Sequence, residues 1–294
     1  MKRGRAELAL ACVTILWGAM FVVVKGALED SSPLLFITLR FVLAAAILGV
    51  IYRASLKRSG IGPGLLAGGI LFLAFTFQTL GLALTTPSKS AFLTSFSIPL
   101  VPLASSLVYR SRPRLFEGVG IAIASIGIIL MTLPTTLLSG NPDFNRGDLL
   151  SLLCAVMFAL HIVVIGHFTP LVGFESVAVI QVVMVAALAF TFSLFAEPLR
   201  FRFTPGVATA IIVTGVLATA LAFTTMAWAQ QYTTPTRAAL IFALEPVVAW
   251  LTSWLLTGET MGNRGKAGAG LILAGILLVE LRPGLKRTVS EGHH

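Results

Sequence analysis

The sequence predicts an all-α membrane protein with ten transmembrane helices arranged as two inverted five-helix repeats. Three observations support this prediction: a strongly apolar composition, ten separate apolar stretches, and short segments that occur twice along the chain. Hydrophobic residues make up 56% and charged residues 11% of the 294 positions, and the mean hydropathy is +0.94. Because soluble domains contain roughly 25% charged residues, this composition indicates a chain that lies in lipid.

Ten apolar stretches are each close to the roughly 20 residues that an α-helix needs to cross the hydrocarbon core of a bilayer. The stretches are continuous and lack the alternation of a transmembrane β-strand, which excludes a β-barrel. The connections between them are short and leave no room for a soluble domain. The predicted spans are 7–26, 34–52, 62–83, 90–109, 115–133, 148–167, 174–195, 206–229, 237–257 and 267–281.

Basic residues indicate how the chain is oriented in the membrane. Lys and Arg cluster at 2–5, 53–58 and 110–114, and all three clusters fall on the cytoplasmic side if the N-terminus is cytoplasmic. This excess predicts cytoplasmic N- and C-termini in a protein of the cytoplasmic (inner) membrane. The net charge of +9 arises from such connections and forms no nucleic-acid-binding stripe, so no nucleic-acid partner is predicted.

Two pairs of segments show that the chain contains a duplication. "TTPSKSA" at 85–91 is repeated as "TTPTRAA" at 233–239, and "RAELALACVTILWG" at 5–18 aligns with "RGDLLSLLCAVMFA" at 146–159. We therefore predict a first repeat over 1–137, a second over 142–287, and a tail at 288–294.

The number of helices in each repeat predicts their relative orientation. Because five is odd, the second repeat enters the membrane from the opposite side and the two repeats are antiparallel. Each "TTP" segment then joins the third and fourth helices of its own repeat, which places Lys89 and Arg237 on opposite faces of the membrane. Inverted repeats of this kind are typical of secondary transporters, whose substrate site lies near the bilayer midplane between the repeats.

Four segments of the chain resemble the EamA-type drug/metabolite transporter family. They are "LWGAMFVVVK" at 16–25, "PLLFITLRFVLAA" at 33–45, "ALEPVVAWLTSWLLTGE" at 243–259 and "GAGLILAGILL" at 268–278. The resemblance extends over both halves and implies a ten-helix inverted-repeat exporter of amino acids and related metabolites. Within the family, the aromatic amino acid and amphiphile exporters are the closer relatives that it suggests. The first half has "FSIPLVP" where the second has "ALEPVVA", so Glu245 has no acidic counterpart there.

Arg40 is the clearest charged residue inside a predicted span. Insertion scales give an arginine at the centre of a membrane helix a cost of about 2.5–3.5 kcal/mol unless it faces the protein interior. Arg40 has two interpretations: it binds a substrate carboxylate, or it forms a structural ion pair or extends to the membrane surface. The structural interpretation is favoured, although Gln181 at the aligned position indicates that the fold itself does not need the charge. We assign Arg40 and Gln181 to structural charge pairing.

Prolines mark weak points in the fourth and ninth spans. Pro246 removes a backbone donor and opens the preceding turn, and the carboxylate of Glu245 can accept hydrogen bonds from the freed N–H groups. A structural kink is favoured there over a proton-coupling carboxylate. Pro99 and Pro102 form the matching weak point in the first repeat. We predict hinges at Pro99, Pro102 and Pro246, about which the two halves rock.

Helical spacing predicts which polar and aromatic side chains face a central cavity. Trp17 shares a face with Phe21, although aromatic residues more commonly serve as packing or interface groups. His161 is a candidate for substrate contact or proton relay, although a histidine bonded to a neighbouring helix is the commoner outcome. The predicted substrate-binding residues are Trp17, Phe21, Gln78, Ser97, His161 and Glu245.

Motif searches leave three function classes open. No HExxH, G-x-S-x-G, P-loop or EF-hand pattern is present, and neither a metal nor a cofactor is predicted. A channel and an intramembrane enzyme acting on a lipid or peptide are the alternatives to a secondary transporter. Paired hinges and inverted repeats favour a transporter that alternates between two states. We predict a monomer that exports amino acids or related small amphiphilic metabolites, with protons as a candidate coupling ion.

Overall fold

The computed structural model describes residues 2–109, 115–132, 145–258, 260 and 262–280. In these parts of the chain the regular secondary structure is helical, which confirms the prediction of an all-α membrane protein. The helices are α1 (Lys2–Ala27), α2 (Pro33–Tyr52), α3 (Ile61–Leu84), α4 (Pro87–Thr94), α5 (Ser97–Tyr109), α6 (Leu115–Thr132), α7 (Arg146–Val172), α8 (Phe174–Ala196), α9 (Pro205–Gly215), α10 (Ala222–Ala229), α11 (Pro235–Phe242), α12 (Glu245–Thr257) and α13 (Asn263–Glu280).

These helices form ten segments within the described ranges, because α4 and α5, α9 and α10, and α11 and α12 are each one interrupted segment. Eight segments are long and apolar enough to cross a membrane. The described part of α6 offers a shorter apolar run, and α13 carries Arg264, Lys266 and Glu280 within its 18 residues. The membrane crossing of α6 and α13 stays a prediction. The basic cluster at 110–114, the predicted repeat boundary and the tail at 288–294 lie outside the described residues.

The two "TTP" segments begin helices in the same way. Thr86 precedes α4 and Thr234 precedes α11, and each threonine hydroxyl accepts a hydrogen bond of 3.3 Å from a backbone N–H, that of Lys89 or Arg237 respectively. A proline occupies the first helical position in both, where no intrahelical donor is lost. The prediction that these segments lie in turns between helices is confirmed.

Two helical segments are interrupted directly before the predicted hinge prolines. The interruptions fall at 95–96, between α4 and α5, and at 243–244, between α11 and α12. Pro99 lies in the first turn of α5 and Pro102 in its interior, while Pro246 is the second residue of α12. The interruptions thus adjoin these prolines, and the hinge role of Pro99, Pro102 and Pro246 stays a prediction.

The connection between α1 and α2 pairs with the connection between α8 and α9. The backbone N–H of Arg202 donates to the carbonyl of Asp30 over 2.7 Å. The carboxylate of Glu197 accepts hydrogen bonds of 3.0 and 2.9 Å from the backbone N–H groups of Leu34 and Leu35. Because the start of a helix presents unpaired N–H groups, Glu197 stabilises the beginning of α2 and ties the two connections together.

Among the residues that the structure describes, ion pairs join distant parts of the chain in two places. Lys89 Nζ lies 2.7 Å from Asp148 Oδ2 at the start of α7. Arg237 in α11 lies between two carboxylates, with Glu7 of α1 and Glu117 of α6 each 3.3 Å away. Asp148 is fully buried and Arg237 is 5% exposed, so each cluster contains one buried member.

The contacts of α1 show where these two ion-pair clusters lie. Glu7, which binds Arg237, is near the beginning of α1. Lys25, near the end of α1, donates to the carbonyl oxygens of Leu82 and Ala83 over 2.8 and 3.0 Å, close to the turn that leads to Lys89. Lys89 and Arg237 therefore lie near opposite ends of α1.

Two glycines permit close approach between helices in the same way. A Cβ atom at Gly68 of α3 would lie 2.9 Å from the carbonyl oxygen of Gln181 in α8. A Cβ atom at Gly215 of α9 would lie 3.0 Å from the carbonyl oxygen of Arg40 in α2. Any larger side chain must push the helices apart, so the helix positions depend on glycine at both places.

Candidate functional site

A cavity lies inside the helical bundle, and its empty space, which includes a part open to solvent, is about 760 Å³. Its walls come from α1 to α5 in the first half of the sequence and from α7 and α10 to α12 in the second half, with one residue from the segment between α9 and α10. Because residues from both halves of the sequence converge on this cavity, it is the candidate functional site.

Aromatic rings form much of the cavity wall. The indole of Trp17 packs 5.2 Å from the ring of Phe223 and 5.5 Å from that of Phe242, measured between centroids. The ring of Phe75 lies 5.7 Å from that of Phe223. Together the rings present an apolar surface that suits a hydrophobic group of a ligand. The aromatic residues of the wall are Trp17, Phe21, Phe75, Phe158, Phe223 and Phe242.

A π-helical segment, Val216–Leu221, connects α9 to α10 beside this wall. Trp17 Nε1 donates to the carbonyl of Ala218 in this segment over 2.9 Å. The hydroxyl of Thr219 donates to the carbonyl of Thr214 over 2.8 Å and serves as an acceptor for Arg40. π-Helical turns occur frequently at functional sites, and this one positions two cavity residues.

Arg40 faces the cavity with its guanidinium buried. The side chain is 4% exposed, and Nε and Nη2 both donate to the hydroxyl oxygen of Thr219, over 3.1 and 2.8 Å. The guanidinium carbon also lies 4.9 Å from the centroid of the Phe75 ring, a cation–π contact. Among the residues that the structure describes, no carboxylate lies within ion-pair distance of it. The structural ion pair that we predicted for Arg40 is therefore not formed there.

Glu245 contributes an acidic side chain to the same cavity. It is the first residue of α12, where the helix dipole favours a carboxylate. Within the described parts of the chain, its carboxylate has neither an ion pair nor a hydrogen bond. Gln78 and Ser97 add neutral polar groups to the lining. The cavity thus contains one basic and one acidic side chain against an aromatic wall.

His161 is not among the residues that line the cavity. Its Nε2 lies at hydrogen-bond distance, 2.8 Å, from Oε1 of Gln181, and both side chains are fully buried. The imidazole also packs against Phe223, with ring centroids 5.8 Å apart. The other predicted substrate-binding residues, Trp17, Phe21, Gln78, Ser97 and Glu245, do line the cavity. A role for His161 in substrate contact stays a prediction without support from this geometry.

Four aromatic residues of the cavity are absent from the predicted substrate-binding residues, namely Phe75, Phe158, Phe223 and Phe242. Phe75 and Phe223 lie in long apolar helices in which many phenylalanines are possible lining residues, and periodicity does not reveal which face meets the cavity. A usable signal was present, because Phe75 aligns with Phe223 when "TTPSKSA" is aligned with "TTPTRAA". Within the described residues, no group of three His, Cys, Asp or Glu side chains is placed to hold a metal ion.

Comparison with known proteins identifies the family. The model of the EamA-like transporter family matches two stretches of the chain, residues 4–133 and 145–281. The chain belongs to the EamA-like transporter family. This EamA-family protein is accordingly a multi-pass membrane transporter, which confirms the resemblance seen in its sequence segments.

Similar proteins agree with this assignment. An uncharacterised transporter of Archaeoglobus fulgidus is 34% identical over 96% of this chain and 88% of the relative. The inner membrane transporter YedA of Escherichia coli K12 is 28% identical over 93% and 90%. A protein of Salmonella typhimurium named a "probable amino-acid metabolite efflux pump" is 29% identical over 95% of both chains. The fold of the EamA-family chain also matches a crystal structure at a TM-score of 0.77 and 20% identity, covering 95% and 97% of the two chains.

Proposed function

We propose that this EamA-family transporter exports amino acids or related small amphiphilic metabolites across the cytoplasmic (inner) membrane as a secondary transporter. The observation that carries the proposal is the cavity, in which Arg40 and Glu245 accompany an aromatic wall. Both features suit a small ligand with polar and apolar parts. The printed name of the Salmonella relative supports the substrate class, and the inner membrane location of the Escherichia coli relative supports the localisation.

The cavity supports a construction from two repeats. Its lining contains pairs of residues that occupy matching positions in the two repeat alignments, and the two stretches matched by the family model are consistent with the same division. We infer that the site lies between the predicted repeats, where secondary transporters bind substrate. The pairs are Trp17 and Phe158, Phe21 and Ile162, Phe75 and Phe223, Gln78 and Met226, Thr94 and Phe242, and Ser97 and Glu245.

Contacts away from the cavity support an inverted relationship. Gly68 packs on the backbone of Gln181, and Gly215 packs on the backbone of Arg40. Arg40 and Gln181 occupy aligned positions of the two repeats. The exchange of partners is what a two-fold axis between the repeats produces. Because Lys89 lies near the opposite end of α1 from Arg237, that axis is expected in the membrane plane.

The π-helical segment fits this scheme as a one-residue insertion in the second repeat. Gly68 and Gly215 are 147 positions apart, whereas Phe75 and Phe223 are 148 positions apart. The extra residue falls between Gly215 and Phe223, where Val216–Leu221 forms the wider turn. An inserted residue would account for this local irregularity, which contains the Ala218 carbonyl that Trp17 binds.

The transport cycle that we propose is alternating access by a monomer, because one chain surrounds the cavity. The Lys89 and Arg237 ion-pair clusters close opposite ends, and the interruptions at 95–96 and 243–244 act as hinges beside Pro99, Pro102 and Pro246. We place both termini in the cytoplasm, which puts the Arg237 cluster at the cytoplasmic end.

Counterflow into proteoliposomes tests the proposed function. Purified protein should exchange at least one labelled amino acid or small amphiphile from a panel, and protein-free liposomes should not. Ser97→Trp should abolish exchange because the indole fills the cavity. Leu107→Trp, on the same helix at a position 82% exposed, should preserve it. Turnover of a lipid or peptide without exchange would instead favour the enzyme alternative, and ion conductance without saturable exchange would favour a channel.

A further inference from the structure

The charges of the cavity restrict which ligands it can accept. Arg40 and Glu245 both line it, and neither has an ion-pair partner among the described residues. Ionisable side chains inside membrane proteins are retained where they serve a substrate or ion pathway. A matching ligand must therefore satisfy the buried guanidinium of Arg40 and the partly buried carboxyl group of Glu245 together.

The geometry of Arg40 suits a carboxylate. A guanidinium has five N–H donors, and the bonds from Nε and Nη2 to Thr219 leave further donors without a described protein acceptor. Contacts with Thr219 and with the rings of Phe41 and Phe75 hold the group in place, at 5.5 and 4.9 Å from the two ring centroids. A fixed planar fork of this kind binds a carboxylate through two parallel hydrogen bonds.

Glu245 suits a protonated amine. Its carboxylate offers only acceptors, which match the three donors of an ammonium group. The aligned residue Ser97 and the aligned partner of Arg40, Gln181, carry no charge. The helix scaffold therefore accepts neutral residues at both positions, and the two charges are features of this cavity rather than of the fold.

We propose that Arg40 and Glu245 select zwitterionic ligands, with the ligand carboxylate bound by Arg40, its ammonium bound by Glu245 and its apolar group against the aromatic wall. This inference rests on the proposed function and narrows it. A ligand that has only an amine leaves Arg40 without a counter-charge, and a ligand that has only a carboxylate leaves Glu245 without one. Both single-charge classes are then rejected, even where the aromatic part fits.

Three compounds with the same ring and different charges test this selection. They are L-phenylalanine, phenethylamine, which lacks the carboxylate, and 3-phenylpropionate, which lacks the amine. Binding is measured by ligand-induced thermal stabilisation of the detergent-solubilised full chain, and transport by counterflow in proteoliposomes. Wild-type protein should bind L-phenylalanine at least about tenfold more tightly than either analogue, since a charge-assisted pair exceeds about 1.4 kcal/mol, which is tenfold.

Two substitutions should then reduce selectivity in opposite directions. Arg40→Gln should weaken the binding of L-phenylalanine to the level of phenethylamine and leave the binding of phenethylamine unchanged. Glu245→Gln should weaken the binding of L-phenylalanine to the level of 3-phenylpropionate and leave the binding of 3-phenylpropionate unchanged. Arg40→Lys keeps the charge but lacks the planar guanidinium fork. Its affinity for L-phenylalanine should lie between those of wild type and Arg40→Gln. Lys25→Gln, a basic residue of α1 outside the cavity lining, is the matched control and should bind all three compounds as wild type does.

Several results would overturn the selection. If wild-type protein binds L-phenylalanine and either analogue equally, the proposed selection of zwitterions is wrong. Counterflow of that analogue would still support the proposed transport function. Uniform weakening of all three compounds by both substitutions also contradicts the selection, since each charge should affect one group of the ligand. The selection is also wrong if wild-type protein binds none of the three compounds. Counterflow with the wider panel of compounds then tests the transport function separately. The comparison of the three compounds on wild-type protein needs no substitution. It therefore tests the selection even if Arg40→Gln does not fold.

Discussion

Lys89 Nζ lies 2.7 Å from Asp148 Oδ2, and this ion pair is the counterpart of the pair formed by Arg237 and Glu7. In the repeat alignment, Lys89 corresponds to Arg237 and Asp148 corresponds to Glu7. Each basic side chain thus reaches an acidic side chain of the other predicted repeat. Because the two pairs lie near opposite ends of α1, they are suited to close the cavity at opposite faces.

We expect Lys89→Met to open the cavity toward the face that carries residue 89. The substitution removes the ion pair, while Asp148 retains its hydrogen bonds to the backbone N–H of Asn145 and to the hydroxyl of Thr85. A change of about 1 kcal/mol shifts a two-state equilibrium roughly fivefold. The measurement is labelling of Ser97→Cys by an impermeant maleimide added to either side of sealed vesicles.

Labelling of Ser97→Cys requires a background without the native thiols, Cys12→Ser and Cys154→Ala. Lys266→Met, which removes an exposed lysine of α13, is the control and should leave labelling from both sides unchanged. Faster labelling of Lys89→Met from the face of residue 237 would show that this pair does not close its own end.

Arg237→Met should have the opposite effect on the same reporter. It breaks contacts with Glu7 and Glu117 together, whereas Glu7→Gln and Glu117→Gln each leave one carboxylate for Arg237. Both single glutamine variants should therefore shift labelling less than Arg237→Met does. If Arg237→Met and Lys89→Met expose the reporter to the same face, the two clusters do not close opposite ends.

Gly127 in α6 and Gly275 in α13 should not tolerate alanine. A Cβ atom at Gly127 would lie 2.5 Å from the carbonyl oxygen of Gly268, and one at Gly275 would lie 2.6 Å from that of Gly120. Overpacking of this kind costs roughly 1–3 kcal/mol. Thermal unfolding in detergent should show a lower midpoint for Gly127→Ala and for Gly275→Ala.

Each of these helices offers its own control for the alanine substitutions. A Cβ atom at Gly118 of α6 or at Gly270 of α13 would meet nothing within 4 Å. Gly118→Ala and Gly270→Ala should therefore leave the unfolding midpoint unchanged or raise it, because alanine favours a helix. Equal losses at all four positions would mean that close packing between α6 and α13 is not the cause.

Trp17→Phe should separate the hydrogen bond of the indole from its packing. The substitution removes the donor to the Ala218 carbonyl and retains a ring against Phe223 and Phe242. We expect a loss of about 1 kcal/mol in the free energy of unfolding, and about 3–5 kcal/mol for Trp17→Ala, which also removes the ring. Trp254→Phe, 47% exposed in α12, is the control. Equal unfolding midpoints for Trp17→Phe and wild type would show that the hydrogen bond contributes nothing to stability.

The residues of the cavity show how far sequence reasoning reached. Trp17, Phe21, Gln78, Ser97 and Glu245 were found because polar or aromatic groups on one helical face stand out in apolar spans. That argument fixes a face to within about one residue, and it does not say what the face meets. A phenylalanine such as Phe75 fits lipid, a helix interface and a cavity equally well by composition.

Arg40 and His161 show the opposite limitation. Both are unusual residues for a membrane span, so the sequence marks them clearly, but their roles depend on partners distant in sequence. Arg40 meets Thr219, 179 positions away, and leaves part of its guanidinium toward the cavity. His161 meets Gln181 on the next helix and lies outside the cavity lining.

The sequence by itself determined that this protein is helical, lies in a membrane and begins two of its helices at "TTP" segments. It did so because hydrocarbon requires backbone hydrogen bonds to close within each helix, and because Thr-Pro caps act within one turn. Only the tertiary structure decided which faces meet, that Lys89 pairs with Asp148, and that Arg40 and Glu245 line one cavity. These relationships depend on rotations and close approaches of helices far apart in sequence, which apolar periodicity leaves undetermined.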